Sequence, residues 1–423
     1  MHSSRNQLSF TNNWDEFVEG LSLSKEFHKE QDFNVFPHHV FVHRADGRVD
    51  MLPEFIIEAN KRRPKHRSIK YAHLQEVEII AWRWSNASSK SIVINRRNNL
   101  FYEAESRWLD SYPCIVKKSD SYFINESIIE NTLLIQDKIF FMGGTINPSH
   151  FFGEYLPKLA IMDEPVSILL WDDAEWIREA IRYVQPKAKI KIIDLNPITK
   201  LYCTRILLSQ CILVEDILDN LEFGLEISRM LISGGIKASI EADSVPKILP
   251  FMPSICHLSR LRFETIVNAR KSSYDPTRPH RIHNYSHFLG LIRQAKGKTL
   301  FPETYSLRTV HDYIACADIV VCEYGSLFAH LLINKFFHER LHSGLVKLLF
   351  LVPKRFLDNH DDFTLAEHRW WKSLNCRNLI FLEGFPLFGL PSMSGANYND
   401  PCIYAKNTRS VLDLISMTQS EKF

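Results

Sequence analysis

The sequence predicts an α/β protein: two doubly wound halves facing across a cleft, with a small β-rich region before them. Three observations predict it. The chain has 423 residues, enough for two or three domains at roughly 150 residues each. From about residue 140 onward, short apolar runs alternate with stretches of helical period, the pattern of a parallel sheet with covering helices. A break with three prolines, EADSVPKILPFMP over 241–253, divides that alternation in two.

The elements follow in order. Residues 1–70 are polar and mixed and carry no clear pattern. From 75 to 145 the runs EVEIIAW, SIVINRR, CIVKK, SYFIN and TLLIQDKIFFMGG alternate with turn residues, which suggests a small antiparallel sheet. NPSHFFGEYLPKLAIMDE then reads as a helix and VSILLW as a buried strand. DDAEWIREAIRYVQ places Trp176, Ile177, Ala180, Ile181 and Val184 on one helical face. KIKIIDL and RILLSQ are strands. After the break come strand SICHLSR, helix HNYSHFLGLIRQA and strand KTLF. A helix carrying Leu307, Val310, Ile314 and Ala317 on one face follows. DIVVC is a strand, GSLFAHLLI a helix, KLLFLVP a strand and NTRSVLDLISMTQ a last helix. The implied division is a β-rich extension over 1–140, halves over 141–245 and 250–405, and a closing helix over 406–423.

Composition narrows the classes. Apolar residues make up 45% and charged residues 24%, as in ordinary globular proteins. Lys plus Arg total 51 against 49 for Asp plus Glu, which argues against an electrostatic nucleic-acid binder. The start, MHSSRNQLSFTNNWDEF, lacks the basic and apolar regions of a signal peptide. No run of 18 apolar residues suggests a membrane span. The eight cysteines are scattered, without C-x-x-C, and read as reduced thiols. The expected location is therefore cytoplasmic.

Five stretches could carry chemistry. In ADIVVCEYGSLFAHLLI a strand runs into Glu323, Tyr324, Gly325 and Ser326, and a helix starts at once. Gly325 would let a group approach the backbone, Ser326 suits an N-cap, and a helix amino end suits phosphate. Glu323 could accept from a ribose or sugar hydroxyl. Taken alone, the same residues equally describe a tight turn with solvated polar groups. In HLSRLR, Arg260 and Arg262 leave a strand end, where an arginine can clamp a diphosphate or form a surface ion pair. In FPETYSLRTVHDY, Glu303 stands at a strand end, where it also suits a helix amino end. In NPSHFFGEYLPKL, His150 and Glu154 share a helix face. They read as a base and its orienting carboxylate or as a plain surface pair. His280, His283 and His287 have a spacing that could face a metal, but no fourth ligand stands near, so no metal is expected.

Together these stretches resemble the family 61 glycosyltransferases, which include bacterial capsular polysaccharide biosynthesis proteins. The resemblance covers about 140–355. It rests on Asn147, His150, Glu154, Leu156 and Pro157; on Ser259 and Arg260; on Arg281, Ile282 and Asn284; on Phe301, Pro302 and Glu303; and on Glu323, Tyr324, Gly325 and Ser326. The stretch between Arg260 and Arg281 is longer than the pattern, and Tyr285 stands where an acid often follows the asparagine.

The resemblance implies two Rossmann-like domains of the GT-B type. It implies an inverting transfer from a nucleotide sugar to a surface glycan or lipid-linked glycan, with no cofactor and no obligatory metal. Membrane association would be peripheral, at the inner face. His150 and Glu154 are the implied catalytic pair. Arg260, Arg281, Asn284, Glu303, Glu323, Tyr324, Gly325 and Ser326 are the implied donor-binding residues. A non-catalytic nucleotide- or glycan-binding protein on the same scaffold is the alternative, since fold does not fix function.

Overall fold

The structure is a computed structural model that describes residues 7–27, 39–43, 48–51, 68–85, 88–102, 112–118, 121–145, 147–171, 174–193, 195, 202–215, 221–242, 253–259, 285–302, 304–323, 326–353, 378–386 and 402–403. The protein is mixed α/β and forms two compact units. The first lies chiefly within 1–28 and 66–220. The second lies within 29–65, 221–269 and 276–423.

The first unit is built on one mixed sheet, eleven strands among the described residues. Its parallel end runs Lys189–Ile192, Ser167–Leu170, Ile129–Gly143, Cys203–Val214. Cys203–Val214 then pairs antiparallel with the long strand Ser68–Ser85, which pairs antiparallel with Ser88–Asn95. So the strands expected as a separate antiparallel region continue the sheet of the α/β segment. The cause is burial on both faces. Val77, Ile79 and Ala81 pack in one core with Ile139, Leu169 and Ile206, while Ile80 and Trp82 pack in another with Ile92, Ile94 and Phe101. Successive residues of a strand point to opposite faces, so the continuous run in EVEIIAW marks a strand covered on both sides.

A buried ionic group crosses this sheet. Glu78 (its side chain 4% exposed) meets Arg96 at 2.5 Å and Arg205 at 2.9 Å, and Arg205 reaches Glu126 at 2.6 Å. Burial alone would lower the Arg205 pKa; hydrogen bonding and attraction to Glu126 and Glu78 outweigh it and hold the guanidinium above its ordinary value.

In the second unit the strands run Lys298–Leu300, Ile255–Leu258, Ile319–Glu323, Lys347–Pro353, Asn378–Pro386 and His39–His43, all parallel. Val49–Met51 adds antiparallel at the edge, and Cys402–Ile403 pairs antiparallel with Asn378–Pro386. In chain order from Ile255, the first five strands have the order 2-1-3-4-5. This doubly wound order reverses direction between its first and third strands, Ile255–Leu258 and Ile319–Glu323. Ile255, Ile319, Val321, Leu349 and Leu351 form the core against Phe288 and Ile292 of helix Tyr285–Gln294. Helix Leu307–Cys316 buries the expected face of Leu307, Val310 and Ile314, with Ala317 just beyond its end. Ser306 caps it, its hydroxyl accepting from the Thr309 amide at 3.1 Å.

Three differences from the sequence reading concern single elements. Helix Leu221–Ala242 was not expected. It carries Gly224, Gly234 and Gly235, and each glycine costs a helix about 1 kcal/mol against alanine. Packing of Phe223, Leu225, Ile227, Ile232 and Ile236, all buried, overrides that propensity. The single helix expected at 325–333 is instead a 3₁₀ turn, Ser326–Phe328, and one α-turn, Ala329–Leu332. Asn334 then starts helix Lys335–His342, its side chain accepting from the Phe337 amide at 3.0 Å. The third difference, at 148–161, bears on the site. Most of the expected linker at 241–253 and all of the expected closing helix at 406–423 lie outside the described residues.

Candidate functional site

Two polar constellations stand at the carboxyl ends of parallel strands, one in each unit.

In the first unit, strand Ile129–Gly143 ends at a glycine with φ +80°. A Cβ there would sit 2.8 Å from Cε1 of Tyr155, so the position needs glycine for its backbone and for its neighbour. The Thr145 hydroxyl accepts from the Asn147 amide at 3.1 Å. Asn147 then caps the next helix: its Oδ1 accepts from the Ser149 amide at 3.1 Å and the Ser149 hydroxyl at 2.7 Å. Pro148 fills the first helical position, which suits a residue without N–H.

The expected single helix is three short pieces: Pro148–His150 in α form, Phe151–Tyr155 as a π-turn and Leu156–Ile161 as a 3₁₀ helix. Pro157 supplies a reason. In a regular α-helix its ring would collide with the carbonyl of Gly153. The chain widens instead, and the Leu156 amide bonds back to the Phe151 carbonyl. Turns of this kind are frequent at functional sites. The π-turn is anchored by Phe151 and Phe152 against Trp176 of helix Glu175–Val184, with ring centroids 5.1 and 5.5 Å apart.

On this turn His150 Nδ1 lies 2.6 Å from Glu154 Oε1. The histidine side chain is 50% exposed and the glutamate 9%. A carboxylate at that distance holds the proton on Nδ1, so the neutral ring keeps its lone pair on Nε2. The structure thus brings the two residues of the sequence-predicted pair into direct contact.

In the second unit the constellation lies where the strand order reverses. The Ser259 hydroxyl, just past strand Ile255–Leu258, hydrogen-bonds to Glu323 Oε1, the last residue of strand Ile319–Glu323. His257 Nε2 lies 3.5 Å from the same oxygen. Its Nδ1 lies 3.2 Å from the Thr299 hydroxyl, on the strand to the other side. His257 and Ser259 are fully buried, and Glu323 is 4% exposed. In open α/β sheets ligands bind in the crevice at such a reversal, outside the carboxyl ends of the strands.

Of the other residues singled out in the sequence, Arg260, Arg281, Asn284, Glu303, Tyr324 and Gly325 lie outside the described residues, and Ser326 is described by its backbone alone. His257 and Thr299 were missed. The available signal was His-x-Ser at a strand end, since residues two apart on a strand share a face.

No protein-family model matches the chain, and no curated protein sequence matches it. Among solved structures, the dodecameric iron-containing heptosyltransferase TibC in complex with ADP-D-beta-D-heptose is similar at 7% identity and a TM-score of 0.30. That match covers 83% of this chain and 94% of the other. TibC from enterotoxigenic E. coli H10407 is similar at 7% identity and a TM-score of 0.24, over 69% and 79%. Likenesses this distant carry no argument about the present chain. The resemblance to family 61 rests on its motifs alone. Among the described residues no helix is long and apolar enough to cross a membrane.

Proposed function

We propose that this chain is a glycosyltransferase that moves a sugar from a nucleotide-sugar donor to a surface glycan or lipid-linked glycan, with inversion at the anomeric carbon. The observation that carries the reading is the His150–Glu154 pair: a half-exposed imidazole oriented at 2.6 Å by a nearly buried carboxylate. It stands at the positions where the family 61 pattern has N-x-x-H and an acid.

In this reading His150 takes the proton of the acceptor hydroxyl as that oxygen attacks the sugar. Glu154 holds the ring and stabilises the imidazolium that forms. The donor is held in the second unit. Glu323 accepts from a ribose hydroxyl, and an arginine meets the charge that develops on the departing diphosphate. Arg260 meets that charge, with Arg281 as the second candidate, in place of a metal.

A panel of UDP-, GDP-, CMP- and ADP-sugars tests the reading. One donor should raise the melting temperature, since a ligand of the folded state stabilises it by mass action. The same donor should be hydrolysed slowly in the absence of acceptor. Stabilisation without hydrolysis or transfer would identify a binding protein instead. No response to any member would end the proposal.

A further inference from the structure

Among the buried histidines of the second unit, His257 stands in the middle of a strand whose other residues are apolar. Strand Ile255–Leu258 is covered on both faces, and its other residues, Ile255, Cys256 and Leu258, are apolar and buried. Parallel strands in that position are normally apolar throughout. His257 is fully buried, with Phe288 edge-on at 5.0 Å, and it places a polar ring where a leucine would pack at no desolvation cost. A buried polar ring that leaves a ring nitrogen without a hydrogen-bond partner adds less stability than an apolar residue of the same size. What the ring does have is geometry. Thr299, His257, Glu323 and Ser259 form a chain of contacts over three neighbouring strands, and it ends on a single carboxylate oxygen at the place where the strand order reverses.

The roles along this chain fit one assignment. With the Thr299 hydroxyl donating to Nδ1, the ring carries its proton on Nε2, directed at Glu323. Ser259 is the hydrogen-bonded donor to the carboxylate oxygen, and Nε2 of His257, 3.5 Å away and outside hydrogen-bond geometry, adds a polar contact that limits where the carboxylate can turn. A carboxylate held in this way at a strand-order reversal suits ribose recognition.

We propose that His257, its tautomer set by Thr299, is a positioning residue that holds Glu323 in place for the ribose hydroxyls of the nucleotide. This rests on the reading of Glu323 as a donor-site residue, and it adds two side chains that never touch the ligand. Because they act through Glu323, their loss removes hydroxyl discrimination and leaves the remaining contacts to the nucleotide intact.

The probes are UDP, ADP, GDP and CDP, each with its 2′,3′-dideoxy analogue, measured by calorimetry on the full chain. The parent should bind one ribonucleotide at least tenfold more tightly than its dideoxy form, because hydrogen bonds to a charged acceptor are the stronger class. In Thr299→Val that ratio should fall towards one, with the dideoxy affinity unchanged. Thr299→Ser, which keeps the hydroxyl, should restore it. His257→Leu should behave as Thr299→Val does; should it fail to fold, the two Thr299 variants decide. A parent that binds a ribonucleotide, with the ratio intact in Thr299→Val, would overturn the role of His257 alone. A parent that binds none of the four would overturn the donor-site reading and this inference together.

Discussion

A histidine works as a base only when its proton sits on the nitrogen facing away from the substrate. At His150 that condition is met by one neighbour, since Nδ1 is 2.6 Å from Glu154. Glu154 gives up nearly all its exposure to make the contact, and His150 keeps half of its own. A surface ion pair leaves both partners wet, so the asymmetry is compatible with an acid that orients the ring. Positioned base catalysis contributes about 10²–10⁴-fold. His150→Ala should therefore lower acceptor transfer by about that factor, with nucleotide affinity near the parental value. Glu154→Gln should lose less, because the amide can still hold the ring. Transfer rates and nucleotide titrations on the two variants check both roles. Near-parental transfer by His150→Ala removes it as base, and a larger loss at Glu154 exchanges the two. Glu323 shows the converse case. Its carboxylate is 4% exposed and is held by the Ser259 hydroxyl with His257 beside it, so the fold sets its orientation before any ligand arrives.

At the scale of elements, the π-turn Phe151–Tyr155 matters more than any helix. It depends on two residues outside the turn itself. Pro157 disrupts the regular hydrogen-bond ladder, and Gly143 leaves room for the Tyr155 ring. Gly143→Ala carries two penalties: a backbone at φ +80°, costing about 1–3 kcal/mol for a side-chain-bearing residue, and a Cβ 2.8 Å from that ring. Gly20 separates them, because it also has positive φ but nothing within 4 Å of its Cβ position. Urea unfolding should show a larger loss for Gly143→Ala than for Gly20→Ala. Transfer activity should fall only in the former, since Tyr155 lies on the turn that carries His150. Equal losses would show that the ring simply moves aside.

The same scale shows what the sequence made legible. Strands 167–170, 255–258 and 319–323 and the buried faces of helices 175–184 and 307–316 follow from period and burial, which are local. Helix Leu221–Ala242 was hidden because its three glycines, with polar residues scattered among the apolar ones, blur any stripe. The shared sheet of the first unit was hidden because the pairing of Cys203–Val214 with Ser68–Ser85 joins residues more than 100 positions apart. The catalytic candidates were legible as motifs; the Thr299–His257–Glu323 contacts were not, because they exist only once three strands are side by side.

For the molecule as a whole, the two units should respond differently to acid. In the second unit His311, His330 and His338 are buried on helices Leu307–Cys316, Ala329–Leu332 and Lys335–His342. Burial, then repulsion from His330, lowers the His311 pKa to about 3. Burial lowers His330 to about 4. Burial, then the nearby Arg229, drives His338 well down. A histidine depressed in the folded state leaves the unfolded chain to take up the proton first. Its contribution is complete above pH 6.5, the ordinary value, and is lost as pH falls from 6.5 towards about 4. Each such group removes up to about 1.4 kcal/mol per pH unit in that window. Asp312, raised by burial against the pull of Arg308, opposes the loss, but only towards the carboxylate range. The first unit has no comparable set among its described residues. His73 is lowered by desolvation, then by Lys138, but it is exposed and therefore screened, and Arg205 stays charged throughout. Hydrogen exchange at pH 7, 6 and 5, corrected for intrinsic rates, should show protection falling over 307–342 while 68–85 and 203–214 hold. His330→Gln should flatten the slope in the second unit. Equal loss in both units, or none in either, would mean that these histidines are hydrated in solution and titrate near 6.5.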